Sequence, residues 1–325
     1  MAVAITSCNQ CTFLAHAISI HNYQKTAETQ NGRIEVMSMF HTGHWRQHVA
    51  LDVGTATIRI ATGMAPFIER PSHIGARCAL RDGVVVDNET VLLILQPLLN
   101  QTRKFGIVKP CVLACAPSDA SKEERELLIA SIMRAGAASI SLIPEPLAAA
   151  IGAGVDVSSC YAKMVIDIGE GVTDCAVIRS SKICMTSAIR VGCARMRRAI
   201  VAAVQESGCT DASDTLGNML MRTCGYERSV VHQGSMLTAS ALQPVLEELA
   251  DTIQDFLRDL PHDLGCEIIE SGICLTGGGA LIPGVRELFE QRTGISVTMA
   301  HTPRASVVEG ARAILPVILT LNQWR

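Results

Sequence analysis

The sequence contains few aromatic residues and no long uninterrupted apolar stretch. Phenylalanine, tryptophan and tyrosine account for 3% of its 325 residues, although 48% of them are hydrophobic. We therefore predict a large core built from small aliphatic side chains and, at this length, more than one domain. No stretch reaches the roughly 18 apolar residues that suggest a membrane-spanning helix. The apolar segment 11–20 lacks a basic flank, so we expect no signal peptide.

A strong excess of charge is missing as well. The formal net charge is −3, without the lysine and arginine excess of a nucleic-acid-binding surface, so we expect no nucleic-acid partner. Cysteine, in contrast, is abundant, with 13 residues scattered through predicted strands and helices. A secreted disulfide-rich domain is short and loop-rich, which this chain is not. We interpret most of these cysteines as reduced, buried side chains in a cytoplasmic protein.

Three short glycine-bearing turns carry the strongest functional signal. They are residues 52–55 (DVGT), 167–174 (DIGEGVTD) and 276–280 (TGGGA). The first two follow apolar runs that predict buried strands, and each combines an aspartate, a glycine and a hydroxyl residue. Glycine lets backbone N–H groups approach a phosphate, and a carboxylate can hold a hydrated metal ion. Two turns of the same design, about 115 residues apart in the numbering, predict a duplicated phosphate clamp.

The predicted elements occur twice in the same order. Strands at 48–53 and 57–62 open the first half, and strands at 164–168 and 174–179 open the second. Helical patterns and further strands follow each pair, which favours an α/β layer fold. The simplest interpretation is an internal duplication whose halves join near residues 155–160.

Capping residues and prolines predict where several helices begin and end. Asn88 is the predicted N-cap of a helix over 88–103, and Ser121 with Glu124 has the spacing of a capping box. Pro316 is predicted to stop or kink the last helix, residues 304–315. Residues 207–235 show no pattern clear enough to assign.

Four further stretches, taken with the turns, resemble a known family. They are 81–87 (RDGVVVD), 145–152 (EPLAAAIG), 275–281 (LTGGGAL) and 294–297 (GISV). In order and spacing they resemble the superfamily of actin, sugar kinases and heat-shock chaperones, and within it the bacterial actin homologues of the MreB type. The resemblance covers about residues 49–313.

The resemblance implies an α/β fold of two duplicated actin-like (ribonuclease H-like) domains, with a nucleotide cleft between them and reduced outer subdomains. Domain I would span residues 48–158, with the C-terminal helix, residues 302–325, packing back on it. Domain II would span residues 159–301. Residues 1–47 show no clear periodicity and lie outside the resemblance, and we expect them to form a disordered tail. The alternatives are an over-long translation start, since Met37 and Met39 precede the first strand, and a membrane-touching tip that uses Met39, Phe40 and Trp45.

The resemblance also implies ATP and Mg²⁺ as cofactors and slow ATP hydrolysis as the activity. Asp52 and Asp167 would hold Mg²⁺ through water, and Glu145 would orient the attacking water, since phosphoryl transfer needs positioning and charge neutralisation. The remaining residues implied to bind the nucleotide are Gly54, Thr55 and Ala56 of the first turn, Gly169, Glu170, Gly171 and Thr173 of the second, and Gly277, Gly278, Gly279 and Ala280 of the third.

The implied biological role is a cytoskeletal filament in cell-shape determination. Its partners would be further copies of the chain, the inner-membrane surface and proteins of cell-wall synthesis, and its location the cytoplasm or the inner face of the cytoplasmic membrane. One alternative is a non-polymerising, chaperone-like accessory protein of the EutJ type, which the reduced outer subdomains favour. Another is a small-molecule kinase, for which the sequence offers no acceptor-site signature.

The sequence departs from the MreB pattern at three places. Glu170 stands where a glycine is usual, and a carboxylate there would repel phosphate. Actin itself has an acidic residue here, followed by the same Gly-Val-Thr, so we expect the turn to remain able to bind phosphate. Arg195, Arg197 and Arg198 replace acidic residues at a helix start, which leaves three alternatives: attraction of phosphate, a different partner surface, or a solvated helix face. Residues 210–228 contain no clear match, Asp214 included, to the acid and lysine that contact ribose and base.

Overall fold

The computed structural model describes residues 46–209, 211–226 and 233–323, so that the expected tail lies almost wholly outside the described residues. The strands are β1 (His48–Val53), β2 (Thr57–Ala61), β3 (Ile68–Pro71), β4 (His73–Ile74), β5 (Arg77–Cys78), β6 (Leu80–Arg81), β7 (Val84–Val85), β8 (Cys111–Ala116), β9 (Ser139–Pro144), β10 (Lys163–Ile168), β11 (Thr173–Arg179), β12 (Lys182–Ile189), β13 (Ile273–Thr276) and β14 (Val297–Met299). The helices are α1 (Asn88–Gln101), α2 (Lys122–Ala135), α3 (Glu145–Gly152), α4 (Cys193–Glu206), α5 (Asp214–Thr223), α6 (Gln233–Arg258), α7 (His262–Ser271), α8 (Val285–Thr293) and α9 (Ser306–Gln323).

Two five-stranded sheets share one topology. Their strand orders are β3-β2-β1-β8-β9 and β12-β11-β10-β13-β14. In each sheet the first three strands form an antiparallel meander, and the first strand pairs in parallel with the fourth, which pairs in parallel with the fifth. The duplication predicted from the repeated turns is therefore confirmed in the order and direction of the strands.

Helices α3 and α9 lie between the two sheets. Helix α9 contacts α3 and strands β1, β2 and β8, while α3 also contacts β10 and β11 of the second sheet. The two helices touch backbone to backbone, because a Cβ on Gly152 would overlap the Ser306 carbonyl and one on Gly310 would overlap the Ala148 carbonyl. A core of alanine and β-branched residues fits this narrow layer, as the shortage of aromatic residues predicts.

The outer faces of the sheets are covered by separate helix layers. Helices α1 and α2 pack together over the first sheet, and α4 and α6 pack together over the second. Each layer encloses its own hydrophobic cluster, which fixes the carboxyl ends of the central strands β1 and β10. Among the described residues, no helix is long and apolar enough to cross a membrane.

Of the three predicted helix boundaries, the structure confirms one and differs from the other two. The Ser121–Glu124 capping box is confirmed. The N-cap of α1 is Asp87, one residue before the predicted one, because its carboxylate accepts hydrogen bonds from the N–H groups of Glu89 and Thr90. Pro316 lies inside α9, which continues to Gln323, so this proline does not stop the helix.

Candidate functional site

The predicted turns converge on one cleft between the two sheets, with a volume of ≈ 370 Å³. Asp52 is the second-last residue of β1, Asp167 is the second-last residue of β10, and Glu145 begins α3. The central strands of both halves therefore place carboxylates in the same cleft. The predicted site residues that line this cleft are Asp52, Gly54, Thr55, Ala56, Glu145, Asp167, Gly169, Glu170, Gly171, Gly277 and Gly278.

Three of the predicted site residues do not line the cleft. Thr173 is buried, and its hydroxyl donates a 2.8 Å hydrogen bond to the carbonyl of Val191. Gly279 packs against the side chain of Ile168 so closely that a Cβ would overlap it, and Ala280 is buried. These residues pack beneath the second and third turns and support their backbone, instead of facing the cleft.

The first two turns are closed by equivalent hydrogen bonds. The N–H of Gly54 donates to the carbonyl of Thr57 at 3.1 Å, and the N–H of Gly169 donates to that of Val172 at 2.9 Å. The turns also meet across the cleft, since a Cβ on Gly171 would lie 2.7 Å from the hydroxyl oxygen of Thr55. Glycine at 171 therefore allows the turns to touch.

The third turn is fixed to the segment before α9. The carbonyl of Pro303 accepts hydrogen bonds from the N–H of Gly277 at 3.1 Å and from the hydroxyl of Thr276 at 3.0 Å. Gly277 has a φ of 85°, in the left-handed region that favours glycine, and it lies directly against Ile168 of β10. The third turn is thus placed beside the second.

Buried carboxylates define the electrostatics of the cleft. Burial, followed by the charge of Asp52, raises the pKa of Asp167 to about 7, and its Oδ1 atom is buried without a hydrogen-bond partner. Burial also raises the pKa of Glu145 well above its usual range, helped by the nearby charges of Asp52, Asp174 and Asp167. Several like charges enclosed together favour a cation as partner.

Asp52 is partly neutralised by an arginine that sequence reasoning missed. Burial raises the pKa of Asp52, and Arg59, whose Nη1 lies 3.0 Å from its Oδ2, opposes the shift. Arg59 also binds Glu69 at 2.6 Å, and Glu69 in turn contacts Arg304 at 3.3 Å. Both arginines line the cleft. The antiparallel pairing of β1 with β2 places Arg59 opposite Asp52, and that of β2 with β3 places it opposite Glu69. Arg304 comes from the short segment before α9.

Helix α5 provides a wall of the cleft that the sequence left unassigned. Asn218, Met221 and Arg222 line the cleft from this helix. The signal that could have found the helix is Ser213, whose hydroxyl accepts a hydrogen bond from the N–H of Leu216 as an N-cap. Arg222 gives this wall a positive charge, and Asn218 gives it an amide group. The side chain of Asp214 is mostly exposed, and its Oδ2 lies 3.6 Å from Nε of Arg197.

The three arginines at the start of α4 have different environments. Arg195 pairs with Glu248 on the surface at 2.7 Å, and Arg198 is exposed. Arg197 is mostly buried and binds Glu170 of the second turn at 2.7 Å. The solvated-face alternative therefore does not describe Arg197.

Polar contacts join the two halves beside the cleft. Asp174 of β11 accepts hydrogen bonds from the N–H and hydroxyl of Ser118, at 2.7 and 2.6 Å. Arg190 reaches from the second half to Asp119 at 2.7 Å and Glu124 at 3.0 Å. These bonds hold the two sets of turns at their observed separation.

The donor set fits a hydrated magnesium ion. Within the described residues, no three histidine, cysteine, aspartate or glutamate side chains are grouped to bind a metal directly. Mg²⁺ usually keeps several waters and uses one or two carboxylates plus phosphate oxygens. Asp52 and Asp167, with the unpartnered oxygen of Asp167, meet that requirement.

A family model described as MreB/Mbl protein matches residues 49–208 and 217–323. The cell shape-determining protein MreB of Escherichia coli (strain K12) is 32% identical over 271 residues, which cover 76% of this chain and 78% of that protein. The cell shape-determining protein Mbl of Bacillus subtilis (strain 168) is 26% identical over 266 residues, covering 75% and 80%.

Solved structures show the same fold. MreB5 of Spiroplasma citri bound to ADP matches with a TM-score of 0.77 at 21% identity, over 85% of this chain and 98% of that one. The MamK double helical filament matches with a TM-score of 0.71 at 14% identity, over 83% and 98%. The ethanolamine utilization protein EutJ of Carboxydothermus hydrogenoformans matches with a TM-score of 0.62 at 18% identity, over 94% and 99%. The predicted actin-like fold is confirmed.

Proposed function

This chain belongs to the MreB/Mbl family of cell shape-determining, actin-fold proteins, and on that premise we propose that it binds and slowly hydrolyses ATP and forms cytoskeletal filaments. The observation that carries the proposal is the convergence of three glycine turns and three carboxylates, contributed by both halves, on one cleft. The division into domain I (48–158, with 302–325) and domain II (159–301) is part of the same proposal, and the cleft lies between the two.

Backbone amides of the first two turns would hold the phosphates. The N–H groups of Gly54 and Gly169 are used within their own turns. Among the described residues, the N–H groups of Thr55, Ala56, Glu170 and Gly171 make no hydrogen bond to the protein, and all four residues line the cleft. Amides presented by two facing turns form the kind of concave donor set that binds phosphate oxygens.

Thr55 and the third turn support this arrangement. The hydroxyl oxygen of Thr55 accepts a hydrogen bond from the N–H of Gly83 at 2.9 Å, which leaves its own hydrogen free to donate to a phosphate. Gly277 and Gly278 would lie beneath the nucleoside, and the wall formed by α5 would face it from the side. Thr173, Gly279 and Ala280 would act by supporting these turns.

Mg²⁺ bound by Asp52 and Asp167 would neutralise phosphate charge when present. Both carboxylates must then be ionised, a form that their burial disfavours and a bound cation would favour. Glu145 begins α3 with its carboxyl group facing the same space, where it would orient a water molecule toward the terminal phosphate. Glu145 must be ionised to accept a proton, and because burial and the neighbouring carboxylates raise its pKa, this role would require a bound cation that favours the ionised form.

Self-association is the proposed assembly, and a pelleting experiment tests it. The comparisons favour the MreB/Mbl family over the EutJ alternative. We expect the protein to sediment with ATP and Mg²⁺ above a critical concentration and to stay in the supernatant without nucleotide. Protein that stays in the supernatant at every concentration, while still binding ATP, would instead support a non-polymerising accessory role.

The inner face of the cytoplasmic membrane is the proposed location, and the hairpin formed by residues 104–108 is the proposed contact. Lys104 and Val108 form a β-bridge, and the tip residues Phe105 and Ile107 are 75% and 79% exposed. Lys104 and Lys109 flank this tip, a combination that suits an anionic lipid surface. Proteins of cell-wall synthesis would meet the filament at that membrane. The alternative tip at Met39, Phe40 and Trp45 lies outside the described residues.

A further inference from the structure

Glu170 places a negative charge in the turn that would bind phosphate. Its side chain lies in the cleft and is only 19% exposed, so solvent screens it weakly. Its carboxylate is not left unpaired, because Nη2 of Arg197 lies 2.7 Å from its Oε1. A partly buried ion pair of this geometry presents little net charge to a neighbouring ligand.

Arg197 is held in place from the side opposite Glu170. Its aliphatic stem lies against α5 at Gly217, where a Cβ would be 3.0 Å from Cγ of the arginine. Its Nη1 donates a 3.3 Å hydrogen bond to Oδ1 of Asn218, and Nε lies 3.6 Å from a carboxylate oxygen of Asp214. The guanidinium is therefore fixed between the second turn and the wall formed by α5.

Helix α4, which carries Arg197, also fixes the backbone of the second turn. The carbonyls of Gly169 and Glu170 accept hydrogen bonds from the N–H groups of Cys193 and Ala194, at 3.0 and 2.9 Å. Arg197 follows one helical turn later in α4, so that one helix holds both the peptide groups and the side chain of this turn. The N–H groups of Glu170 and Gly171 are left facing the cleft.

We propose that Arg197 is a positioning residue that cancels the charge of Glu170 and so makes the second turn able to accept the phosphates of the nucleotide. This inference rests on the proposed function, since it concerns the same ATP site. It explains two departures from the family pattern, Glu170 and Arg197, by a single role, although nothing in the sequence connects the two residues. The role is electrostatic, with the guanidinium acting through Glu170 and not through contact with the ligand.

Nucleotide titrations on a set of four proteins test this inference. The set is wild type, Arg197→Met, Glu170→Gln and the double variant, because methionine keeps most of the stem that packs on α5 and glutamine keeps the shape of Glu170. We expect Arg197→Met to weaken ATP binding about tenfold in the presence of Glu170. In the Glu170→Gln background the same change should cost less than about twofold, since no charge remains to be cancelled.

The salt dependence and a matched surface variant separate charge from structure. The loss in Arg197→Met should shrink as salt screens the uncompensated carboxylate, and it should be larger for ATP than for ADP. Arg195→Met, which removes the surface pair with Glu248, should leave ATP affinity unchanged. A loss of the same size in the wild-type and Glu170→Gln backgrounds overturns the inference, as does unchanged binding by Arg197→Met. If wild type itself binds no ATP, the proposed function fails, and the inference fails with it.

Discussion

Asp167 lies buried beside the cleft with one carboxylate oxygen that accepts no hydrogen bond. Its pKa of about 7 means that the ligand-free fold keeps a proton that the unfolded chain releases near its ordinary pKa of 3.8. Because the folded-state pKa is raised, this group's contribution to stability is present at low pH and is lost as the pH rises through about 7. Metal binding requires the ionised form, so pH should act on stability and on binding in opposite directions.

Asp167→Asn should therefore change two pH profiles. In the wild type without ligand, the melting temperature should fall as the pH rises from about 4 to about 7, and Mg²⁺-dependent ATP affinity should rise as Asp167 ionises near pH 7. The variant should show a flatter melting profile and little response to Mg²⁺. Calorimetry and titrations over this pH range measure both. Equal Mg²⁺ dependence in variant and wild type would remove Asp167 from the metal site.

Glu145→Gln separates hydrolysis from binding. The amide keeps the shape of the side chain but cannot accept a proton from water, so we expect the hydrolysis rate to fall about 100-fold. ATP affinity should change by less than about threefold, because the carboxylate acts on water and not on the phosphates in the ground state. Single-turnover phosphate release together with a binding titration measures the two quantities. Equal hydrolysis by the two proteins would contradict the role proposed for Glu145.

At the scale of single elements, the 104–108 hairpin offers a test of membrane contact. Replacing Phe105 and Ile107 by serine should lower binding to anionic vesicles by more than about tenfold, since each apolar side chain contributes about 1.5–3 kcal/mol when buried. Vesicle co-sedimentation measures the loss. Met64→Ser is the matched control, because Met64 is 96% exposed elsewhere on the surface. A similar loss in both variants would point to general surface apolarity, and no loss in the hairpin variant would exclude this contact.

Secondary structure could be predicted from the sequence where local chemistry determines it. The strand at 48–53 and the capping box at Ser121 depend on patterns within a few residues, and the structure shows both. The predicted N-cap of α1 was wrong by one residue, because Asp87 and Asn88 are both good N-cap residues and only the folded backbone selects between them. Pro316 was expected to stop or kink α9, but packing of this helix between the sheets carries it past the proline.

The site was only half predictable for a related reason. The glycine turns show in the sequence because each is a local device for presenting backbone amides. The wall of α5 and the pair of Glu170 with Arg197 depend on contacts between segments distant in the chain. The contact of Arg59 with Asp52 depends on the register in which β1 pairs with β2. The function of Arg197 could not be read from its neighbours Arg195 and Arg198, since the three face different environments.

At the scale of the whole molecule, the site exists only because two similar halves face each other. Neither half alone brings Asp52 beside Asp167, and bonds such as those of Arg190 to Asp119 and Glu124 hold the halves at this separation. Binding of one ligand by both halves would draw them together. In our proposal, subunits made of these two halves assemble into filaments. In the proposed function, Mg²⁺-dependent ATP binding is the property on which hydrolysis and assembly would both depend.

Titration of the purified protein with ATP, in Mg²⁺ and in chelator, tests that property most directly. We predict one ATP per chain, with affinity at least about tenfold higher in Mg²⁺ than in chelator, because the buried carboxylates repel a bare triphosphate. Absence of binding under both conditions, or binding that is equally tight in both, would contradict the account.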